Sequence, residues 1–469
     1  MVEFFYHFIS LGKDNEEDKK MENVVLSHFR VGQTDGVSLE MEKWQTVLED
    51  MGYQTQFLAG STGNVEGDVI PELKYRQDRN DRIVQNAYQE LSDFSAQELE
   101  EEILDYAAEI KERLEQYVTE NEIDILIPNN IWSLGWHLPA AIAFSQLAEE
   151  HSELQFICHH HDFYWERDLY HPTCDFVSQC LEDYFPPQGD NIEHCVINRL
   201  AQQELEERKG IQAIVVPNVF DFAAELWGED DYNQDFKEEI GLAENDIYML
   251  QATRIAERKA IELAIDLVAQ LDMDEYREKL EGAELYDGRE FTADSRFVLV
   301  LAGLPEGNEE YVAKLKELAQ QQGVEIKFVN DLIEMKRCTV DGDKRYSLWD
   351  AYVQSDIITY PSILEGWGNQ FLEGLFAKKP MVVYEYPVFK TDIKDLGFNI
   401  VSLGDEIAYR DDKDLVHIQE EKLAGAGQKV VNLLTDGDYY QQFVEENFAL
   451  GAEHLSYQTL SEILEKLLD

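Results

Sequence analysis

The chain has 469 residues, 44% of them hydrophobic and 11% aromatic, which is the composition of a folded protein with room for two domains. Lys and Arg number 39 while Asp and Glu number 96, so the formal net charge is −57. A field of this sign repels phosphate backbones and anionic bilayers, and therefore argues against nucleic acid or a membrane surface as a partner. The acids are spread over the whole chain, which favours a surface adapted to high salt over a dedicated cation-binding function.

The N-terminal residues 1–10 are apolar, but a charged run follows them instead of a small-residue cleavage site, so we expect no export signal. No stretch approaches the roughly 18–20 apolar residues of a membrane span. The cysteines are odd in number and form no C-x-x-C pair. This usage predicts free thiols and a location in the reducing cytoplasm.

Apolar runs typical of buried strands alternate with helical patterns along the chain. The strand-like runs cover residues 23–29, 123–128, 154–158, 211–217, 247–252, 297–302, 324–329, 356–360 and 380–384. The helical patterns cover residues 96–119, 258–271, 309–322, 368–378, 415–434, 439–450 and 456–468. Nearly continuous Val, Ile and Leu in the runs is expected for parallel strands that are covered on both faces. The sequence therefore predicts a doubly wound α/β architecture.

The strands form two sets, and the segment 216–221 lies between them as a connector. We therefore expect a first Rossmann-like domain over residues 1–220 and a second over residues 221–440. Helices in residues 441–469 are expected to cross back toward the first domain. Two such domains enclose a cleft where the carboxyl ends of their strands face each other, and ligands bind at that edge.

The most informative segment is 360–373, which leaves a strand and enters a helix. Glu365 and Glu373 are eight positions apart, and Gly366 and Gly368 allow the backbone to approach a ligand closely. The helix N-terminus that follows favours an anion. The alternative interpretation is two solvated acids beside a turn.

A second strand-to-helix segment carries Arg254 and Lys259. A fork-shaped guanidinium and a compact ammonium together suit a diphosphate. The alternative is ordinary ion pairing of these cations with Glu257 and Glu262.

Together the two segments resemble the retaining glycosyltransferases of family four, which have the GT-B fold of two facing Rossmann-like domains. The resemblance rests on an E-x7-E element, Glu365 and Glu373, and on an R-x4-K pair, Arg254 and Lys259. The strand that ends at Gly303 and the connector 216–221 fit the same family.

In the first domain the resemblance covers two further places. Gly36 follows the first strand, where the family has a glycine loop, and His161 with Asp162 follows a strand where the family often has a donor-contacting histidine. The chain departs from the family at Gly36, where the usual paired glycines are absent, and in residues 1–22, which have no counterpart.

The resemblance implies a nucleotide-diphospho-sugar donor in the cleft between the domains. Arg254 and Lys259 would then bind the diphosphate, Glu373 the ribose and Glu365 a hydroxyl of the donor sugar. His161 would contact the sugar, and Gly36 would let the acceptor-side loop close. The other donor-binding residues that it implies are Gly366, Trp367, Gly368, Asn369 and Gly303. Configuration would be retained because the leaving phosphate takes the acceptor proton on the same face, and neither a metal nor a cofactor would be required.

Two further groups of residues have more than one interpretation. The histidines at 159–161 invite a metal site, but adjacent residues of a strand point to opposite faces, so only His159 and His161 can share one. We choose His161 as the histidine that meets the donor. Asp162, Arg79 and Arg82 are candidate acceptor-binding residues, and the two arginines fit a solvated helix face as well.

The predicted function is that of a cytoplasmic, retaining hexosyltransferase with a small polar acceptor: a sugar, a glycerate-type compound or a sugar phosphate. Compatible-solute synthesis would suit a cytoplasm adapted to salt. The alternatives are a transferase acting on lipid or cell-wall polymer, an epimerase or phosphorylase of the same fold, and a non-catalytic sugar-nucleotide sensor. The donor base, the hexose, the linkage and the oligomeric state stay open at this point.

Overall fold

The computed structural model describes residues 21–33, 35–305 and 307–468. The N-terminal segment for which we expect no export signal lies outside the described residues, as does Thr34 of the loop before Gly36. Within the described ranges, no helix has both the length and the apolar composition needed to cross a bilayer. All five cysteines are free thiols, as predicted.

The first domain is built on a seven-stranded parallel sheet. Its strands are β1 Asn23–His28, β2 Gln54–Ala59, β3 Asp68–Val69, β4 Ile125–Pro128, β5 Gln155–His160, β6 Ile192–Val196 and β7 Ile214–Val215. Its helices are α1 Gly36–Asp50, α2 Asp78–Tyr88, α3 Ala96–Glu120, α4 Leu138–Glu150, α5 Asp175–Tyr184 and α6 Arg199–Lys209. The strand order is β3-β2-β1-β4-β5-β6-β7. Alternate residues of β4 enter different cores, Ile125 and Ile127 one and Leu126 the other, so the sheet is buried on both faces.

The second domain repeats this plan on a six-stranded parallel sheet. The strands that follow along the chain are β8 Ile247–Gln251, β9 Phe297–Leu301, β10 Glu325–Phe328, β11 Ile333–Glu334, β12 Cys338–Val340, β13 Asp343–Ser347, β14 Ile357–Tyr360, β15 Met381–Val383, β16 Val401–Ser402, β17 Tyr409–Arg410 and β18 Val416–His417. The main sheet has the order β10-β9-β8-β14-β15-β16, whereas β11–β13 form a small separate sheet and β17 pairs with β18. The first six positions of both main sheets thus follow the doubly wound Rossmann order, which confirms the predicted pair of Rossmann-like domains.

Helices cover the second sheet and continue to the C-terminus. They are α7 Phe236–Glu239, α8 Glu262–Leu271, α9 Asp274–Leu280, α10 Glu309–Gln322, α11 Leu348–Gln354, α12 Asn369–Phe376, α13 Glu420–Thr435, α14 Gly437–His454 and α15 Tyr457–Leu468. Short 3₁₀ turns lie at Pro71–Leu73, Tyr164–Glu166, Glu257–Lys259, Asn330–Leu332 and Lys394–Leu396, and a π-helical turn at Phe389–Ile393.

Two predicted helices begin later than expected. Ala260 has a left-handed backbone with φ 44°, which separates the 3₁₀ turn Glu257–Lys259 from α8, so the helix predicted from residue 258 starts at Glu262. The helix predicted from residue 415 starts at Glu420, because Val416 and His417 pair with β17 instead.

The chain crosses between the domains twice, and the two crossings lie side by side. The N–H of Phe220 donates to the carbonyl of Leu455 at 2.9 Å. After the second crossing, α15 buries Leu460, Leu464 and Leu467 in a core of the first domain, as predicted for the C-terminal helix. The preceding helix, α14, packs in the core of the second domain instead. The domain limits at residues 220 and 440 stay predictions.

Candidate functional site

A cavity of about 1150 Å³ opens between the facing edges of the two sheets. Most of the predicted site residues line it. From the second domain these are Arg254, Lys259, Glu365, Gly366, Trp367, Gly368, Asn369 and Glu373, and from the first domain Gly36, His161 and Asp162. Their individual roles stay predictions, but the fold brings them to one place.

The segment between β14 and α12 has a conformation that requires glycine at one point. Gly368 has φ 123° and precedes the first residue of α12. A Cβ atom at this position would lie 2.4 Å from the hydroxyl oxygen of Tyr386 and 2.5 Å from that of Tyr360. The Tyr386 hydroxyl also donates to the carbonyl of Trp367 at 2.6 Å. The two tyrosines therefore fix the path of the loop that carries Glu365.

Glu365 joins the two predicted motifs. The Lys259 ammonium, whose residue is only 7% exposed, forms an ion pair with Oε1 of Glu365. A nitrogen of the Arg258 guanidinium lies 3.4 Å from Oε2 of the same carboxylate. Of the partners considered from the sequence for Lys259, Glu262 instead accepts hydrogen bonds from the Tyr311 hydroxyl and the Val416 N–H. The contact between Lys259 and Glu365 orients a buried ammonium toward the cavity.

Glu373 lies within α12, whereas Glu365 lies in the loop before this helix. Its Oε2 accepts a hydrogen bond from the Tyr352 hydroxyl at 2.6 Å. Burial raises the pKa of Glu373, while this hydrogen bond and the charges of Lys43 and Lys259 act in the opposite direction. A carboxylate with one hydrogen bond from the protein retains further lone pairs for the hydroxyls of a ligand.

Asparagines of the first domain hold the same loop from the opposite side. Nδ2 of Asn198 donates to the carbonyl of Gly366 at 2.7 Å, and Nδ2 of Asn218 donates to Oδ1 of Asn369 at 2.7 Å. Both asparagines also line the cavity. Neither asparagine was predicted as a site residue, although Asn218 lies in the connector 216–221.

His161 lies at the carboxyl end of β5 and is held by two asparagines that follow β4. Its backbone N–H donates to Oδ1 of Asn130 at 2.8 Å, and its Nε2–H donates to Oδ1 of Asn129 at 3.1 Å. Burial lowers the pKa of His161 to about 3, with a smaller contribution from His28. The ring is therefore neutral at physiological pH and can serve as a hydrogen-bonding group to a sugar. Asp162, the next residue, accepts from Nδ2 of Asn130 and pairs with Arg167.

The other two histidines of the run lie inside the domain. His159 stacks on Trp44 with ring centroids 4.4 Å apart. His160 lies beside Cys158 and His194, and one possible ligand atom of each lies within 4.8 Å of the others. This buried group differs from the pair His159 and His161 considered from the sequence, because it depends on the register between β5 and β6.

Three predicted site residues lie away from the cavity lining. A Cβ atom at Gly303 would lie 1.8 Å from the carbonyl oxygen of Thr253, so this glycine lets two loops of the second domain cross. Arg79 pairs with Glu102 and Glu109, both at 2.7 Å, and packs on Tyr106 of α3. Arg82 pairs with Asp93 at 3.1 Å. The start of α2 at Asp78 turns both arginines toward neighbouring helical structure and acids.

Other arginines of the first domain line the cavity instead, namely Arg30, Arg76 and Arg167. Arg76 belongs to the basic segment that contains Arg79 and Arg82, but it precedes α2 and points to the cleft. Tyr75 and Trp136 lie beside it on the same wall.

The chain is similar to known glycosyltransferases. A family model described as "Glycosyl transferases group 1" matches residues 233–401. A mannosylglucosylglycerate synthase of Petrotoga mobilis is 42% identical over 412 residues, which are 88% of this chain and 93% of the relative. A protein of the same name from Thermotoga maritima is 39% identical over 446 residues, 94% of this chain and 99% of the relative. The solved structure of a glycosyltransferase from Rickettsia africae has a TM-score of 0.59 and 13% identity, and covers 96% of this chain and 98% of its own.

The likeness to the solved structure concerns the fold, whereas the two synthases are similar over nearly the whole sequence. Their alignments extend far beyond the segment that the family model matches and include the first domain. The chain therefore has the GT-B fold and belongs to the group 1 glycosyltransferases, in the family that includes these synthases.

Proposed function

We propose that the protein is a retaining transferase that moves a mannosyl unit from a nucleotide-diphosphate donor to glucosylglycerate in the cytoplasm. The observation that carries this proposal is the cleft itself. The ion-paired Lys259 and Glu365 lie there with Glu373 and His161, in a chain 42% identical to a mannosylglucosylglycerate synthase.

In this proposal the second domain binds the donor. Arg254 and Lys259 bind the diphosphate and stabilise the negative charge that grows on it as the bond to the sugar breaks. A lysine has three N–H donors, so Lys259 can keep Glu365 and still reach a phosphate oxygen. Glu373 accepts hydrogen bonds from the ribose, and Glu365 binds a hydroxyl of the donor sugar.

The transfer step then needs no carboxylate nucleophile. The bond from the anomeric carbon to the phosphate oxygen breaks while the acceptor hydroxyl oxygen bonds the same carbon from the same face. The acceptor proton passes to the leaving phosphate oxygen. Neutral His161 binds a sugar hydroxyl throughout. Because protein cations neutralise the diphosphate, we propose that a divalent metal is not essential, which activity in excess chelator would test.

Product analysis tests the function. Purified protein is incubated with guanosine-, uridine- and adenosine-diphosphate hexoses, each with glucosylglycerate, glycerate or a simple sugar. Nuclear magnetic resonance identifies the linkage and anomeric configuration of any product. We expect a mannosylated glucosylglycerate with the anomeric configuration of the donor. Hydrolysis alone, an inverted product, or transfer only to lipid or polymer acceptors would refute the proposal.

The donor site is tested with Lys259→Ala. Removing a preorganised cation from a developing charge costs about 2.7–4 kcal/mol, so we expect turnover to fall by about 10²–10³-fold. Lys111→Ala is the matched control, since Lys111 forms ion pairs with Glu115 and Glu150 on the surface of the first domain. Equal activity of the two variants would show that Lys259 does not act on the diphosphate.

A further inference from the structure

The cavity has cations on both walls. Arg254, Arg258 and Lys259 lie on the second-domain wall, where the proposed donor diphosphate binds. Arg30, Arg76 and Arg167 lie on the first-domain wall. The lining also contains six acids, but the chain as a whole has 39 cations against 96 acids, so the cavity is enriched in cations and presents a cationic group on each wall.

The first-domain wall also has an aromatic surface. The rings of Tyr75 and Trp136 have centroids 6.0 Å apart at an interplanar angle of 55°, and both residues are partly exposed in the cavity. Phe29 is buried behind Tyr75 at 5.6 Å. Such a surface can pack against the apolar face of a sugar ring.

The guanidinium groups of Arg76 and Arg30 lie against these rings. The central carbon of Arg76 is 5.1 Å from the Trp136 ring centroid and 5.7 Å from that of Tyr75. The corresponding carbon of Arg30 is 5.6 Å from the Tyr75 ring. A cation–π contact of this kind helps to hold a guanidinium in place, and its N–H groups can still donate to a carboxylate.

Each of the three arginines has an acidic neighbour, but the ion pairs differ in strength. Arg167 pairs closely with Asp162, and Arg30 lies 3.3 Å from Asp35. Arg76 lies 3.7 Å from Asp81, and its side chain is 62% exposed. The looser and more exposed pair is the one that an incoming anion displaces most easily.

We propose that Tyr75, Trp136, Arg76 and Arg30 form the acceptor subsite, in which the rings carry the sugar of the acceptor and the guanidinium groups bind its carboxylate. This inference rests on the proposed function, since it takes glucosylglycerate as the acceptor. It makes Arg76 the main specificity-determining residue for a charged acceptor, with Arg30 as its second cation. The carboxylate and the diphosphate then bind opposite walls and do not compete.

Comparison of a charged and a neutral acceptor tests the subsite. Glucosylglycerate and glucosylglycerol have the same sugar and differ at the carboxylate, so only the first needs Arg76. In Arg76→Gln we expect KM and the dissociation constant for glucosylglycerate to rise about 10- to 100-fold, the range for a hydrogen bond to a charged group. The values for glucosylglycerol and kcat should change less than about threefold. Arg113→Gln, on the exposed face of α3, is the matched control.

Calorimetric binding separates this inference from the proposed function. If the protein transfers no mannose but binds glucosylglycerate in a way that depends on Arg76, the subsite is supported and the proposed function is refuted. If the wild-type protein transfers mannose, but Arg76→Gln loses the same affinity for glucosylglycerate and for glucosylglycerol, then Arg76 does not recognise the carboxylate. Unchanged binding of glucosylglycerate in both Arg76→Gln and Arg30→Gln would also overturn it. An unchanged melting temperature shows that each variant is folded.

Discussion

Replacing His137 with Asn should remove about 2 kcal/mol of the loss of first-domain stability between pH 7.5 and 5.0, a loss to which other buried histidines with lowered pKa values, such as His28 and His194, also contribute. His137 is fully buried at the start of α4. Its Nδ1 accepts the N–H of Ala140 at 3.2 Å, and its Nε2–H donates to the carbonyl of Glu72 at 2.9 Å. Only the neutral ring can make both hydrogen bonds, because a protonated Nδ1 no longer accepts.

The size of the effect follows from the pKa. Burial lowers the pKa of His137 from 6.5 to about 4, although the hydrogen bond to Glu72 acts in the opposite direction. Between these two pKa values the unfolded chain binds more protons than the folded one. The contribution of neutral His137 to the free energy of unfolding is therefore fully present above pH 6.5 and decreases as the pH falls toward 4. At pH 5 about 97% of unfolded chains but only about a tenth of folded chains carry the proton. The free energy of unfolding is therefore about 2 kcal/mol lower at pH 5 than at pH 7.5 from this group alone.

His137→Asn keeps a helix-capping acceptor but does not titrate. The protein is unfolded with urea at pH 7.5 and at pH 5.0 in the same salt. Unfolding of the first domain is measured by hydrogen exchange in peptides of α4. The wild-type protein should lose about 2 kcal/mol more than the variant between the two pH values. The exposed acids are common to both proteins and cancel in this difference. A difference below about 0.5 kcal/mol would refute the reasoning, because His137 would then titrate at nearly the same pH in both states.

Two further predictions concern the glycine of the E-x7-E loop and the net charge. Gly368→Ala places a Cβ within 2.5 Å of two tyrosine hydroxyls at φ 123°, so we expect the melting temperature and the transfer rate to fall together, with a cost above about 1–3 kcal/mol. Gly425→Ala in α13, where a Cβ meets nothing within 4 Å, should instead stabilise by about 0.4–1 kcal/mol, and equal effects of the two would contradict this. The charge of −57 predicts a melting temperature that climbs between 0.01 and 1 M KCl, as the Debye length shrinks from about 30 to 3 Å. A flat or falling scanning-fluorimetry curve would contradict adaptation to salt.

The donor-side candidates could be predicted because their residues are close in the sequence. Glu365 and Glu373 lie on one strand-to-helix segment, and Arg254 and Lys259 follow one strand. The order of strands in a doubly wound sheet then brings the two segments together, since β8 and β14 are neighbours. The start of α8 was placed too early because a left-handed alanine is not visible in residue patterns.

The acceptor side could not be predicted in the same way. Its residues come from three separate segments: Arg30 after β1, Tyr75 and Arg76 before α2, and Trp136 before α4. Of the basic segment that contains Arg76, only Arg79 and Arg82 were predicted to bind the acceptor. Where α2 begins decides which of these side chains faces the cleft, and helix boundaries are the least reliable part of sequence reasoning.

The buried group of Cys158, His160 and His194 shows a second limit. Alternation along β5 places Cys158 and His160 on one face, and this can be derived from the sequence. The parallel register that sets His194 opposite Cys158 cannot, because β6 was not predicted as a strand. Sequence patterns thus predict many of the elements but not the pairings between them.

The net negative charge of the chain limits the ways in which its cleft can bind anionic substrates. A protein with a net charge of −57 repels anionic substrates at long range, and in concentrated salt that field is screened within a few ångströms. Neither in low salt nor in concentrated salt does a long-range positive potential attract a nucleotide sugar and a carboxylate acceptor to the cleft. Binding therefore depends on short contacts to cations that neighbouring side chains already orient. Lys259 is buried against Glu365, and the guanidinium carbon of Arg76 lies 5.7 Å from the Tyr75 ring centroid and 5.1 Å from that of Trp136. Because the Lys259 contact is buried, its contribution to binding should depend little on ionic strength, whereas contacts of the more exposed Arg76 are screened by salt.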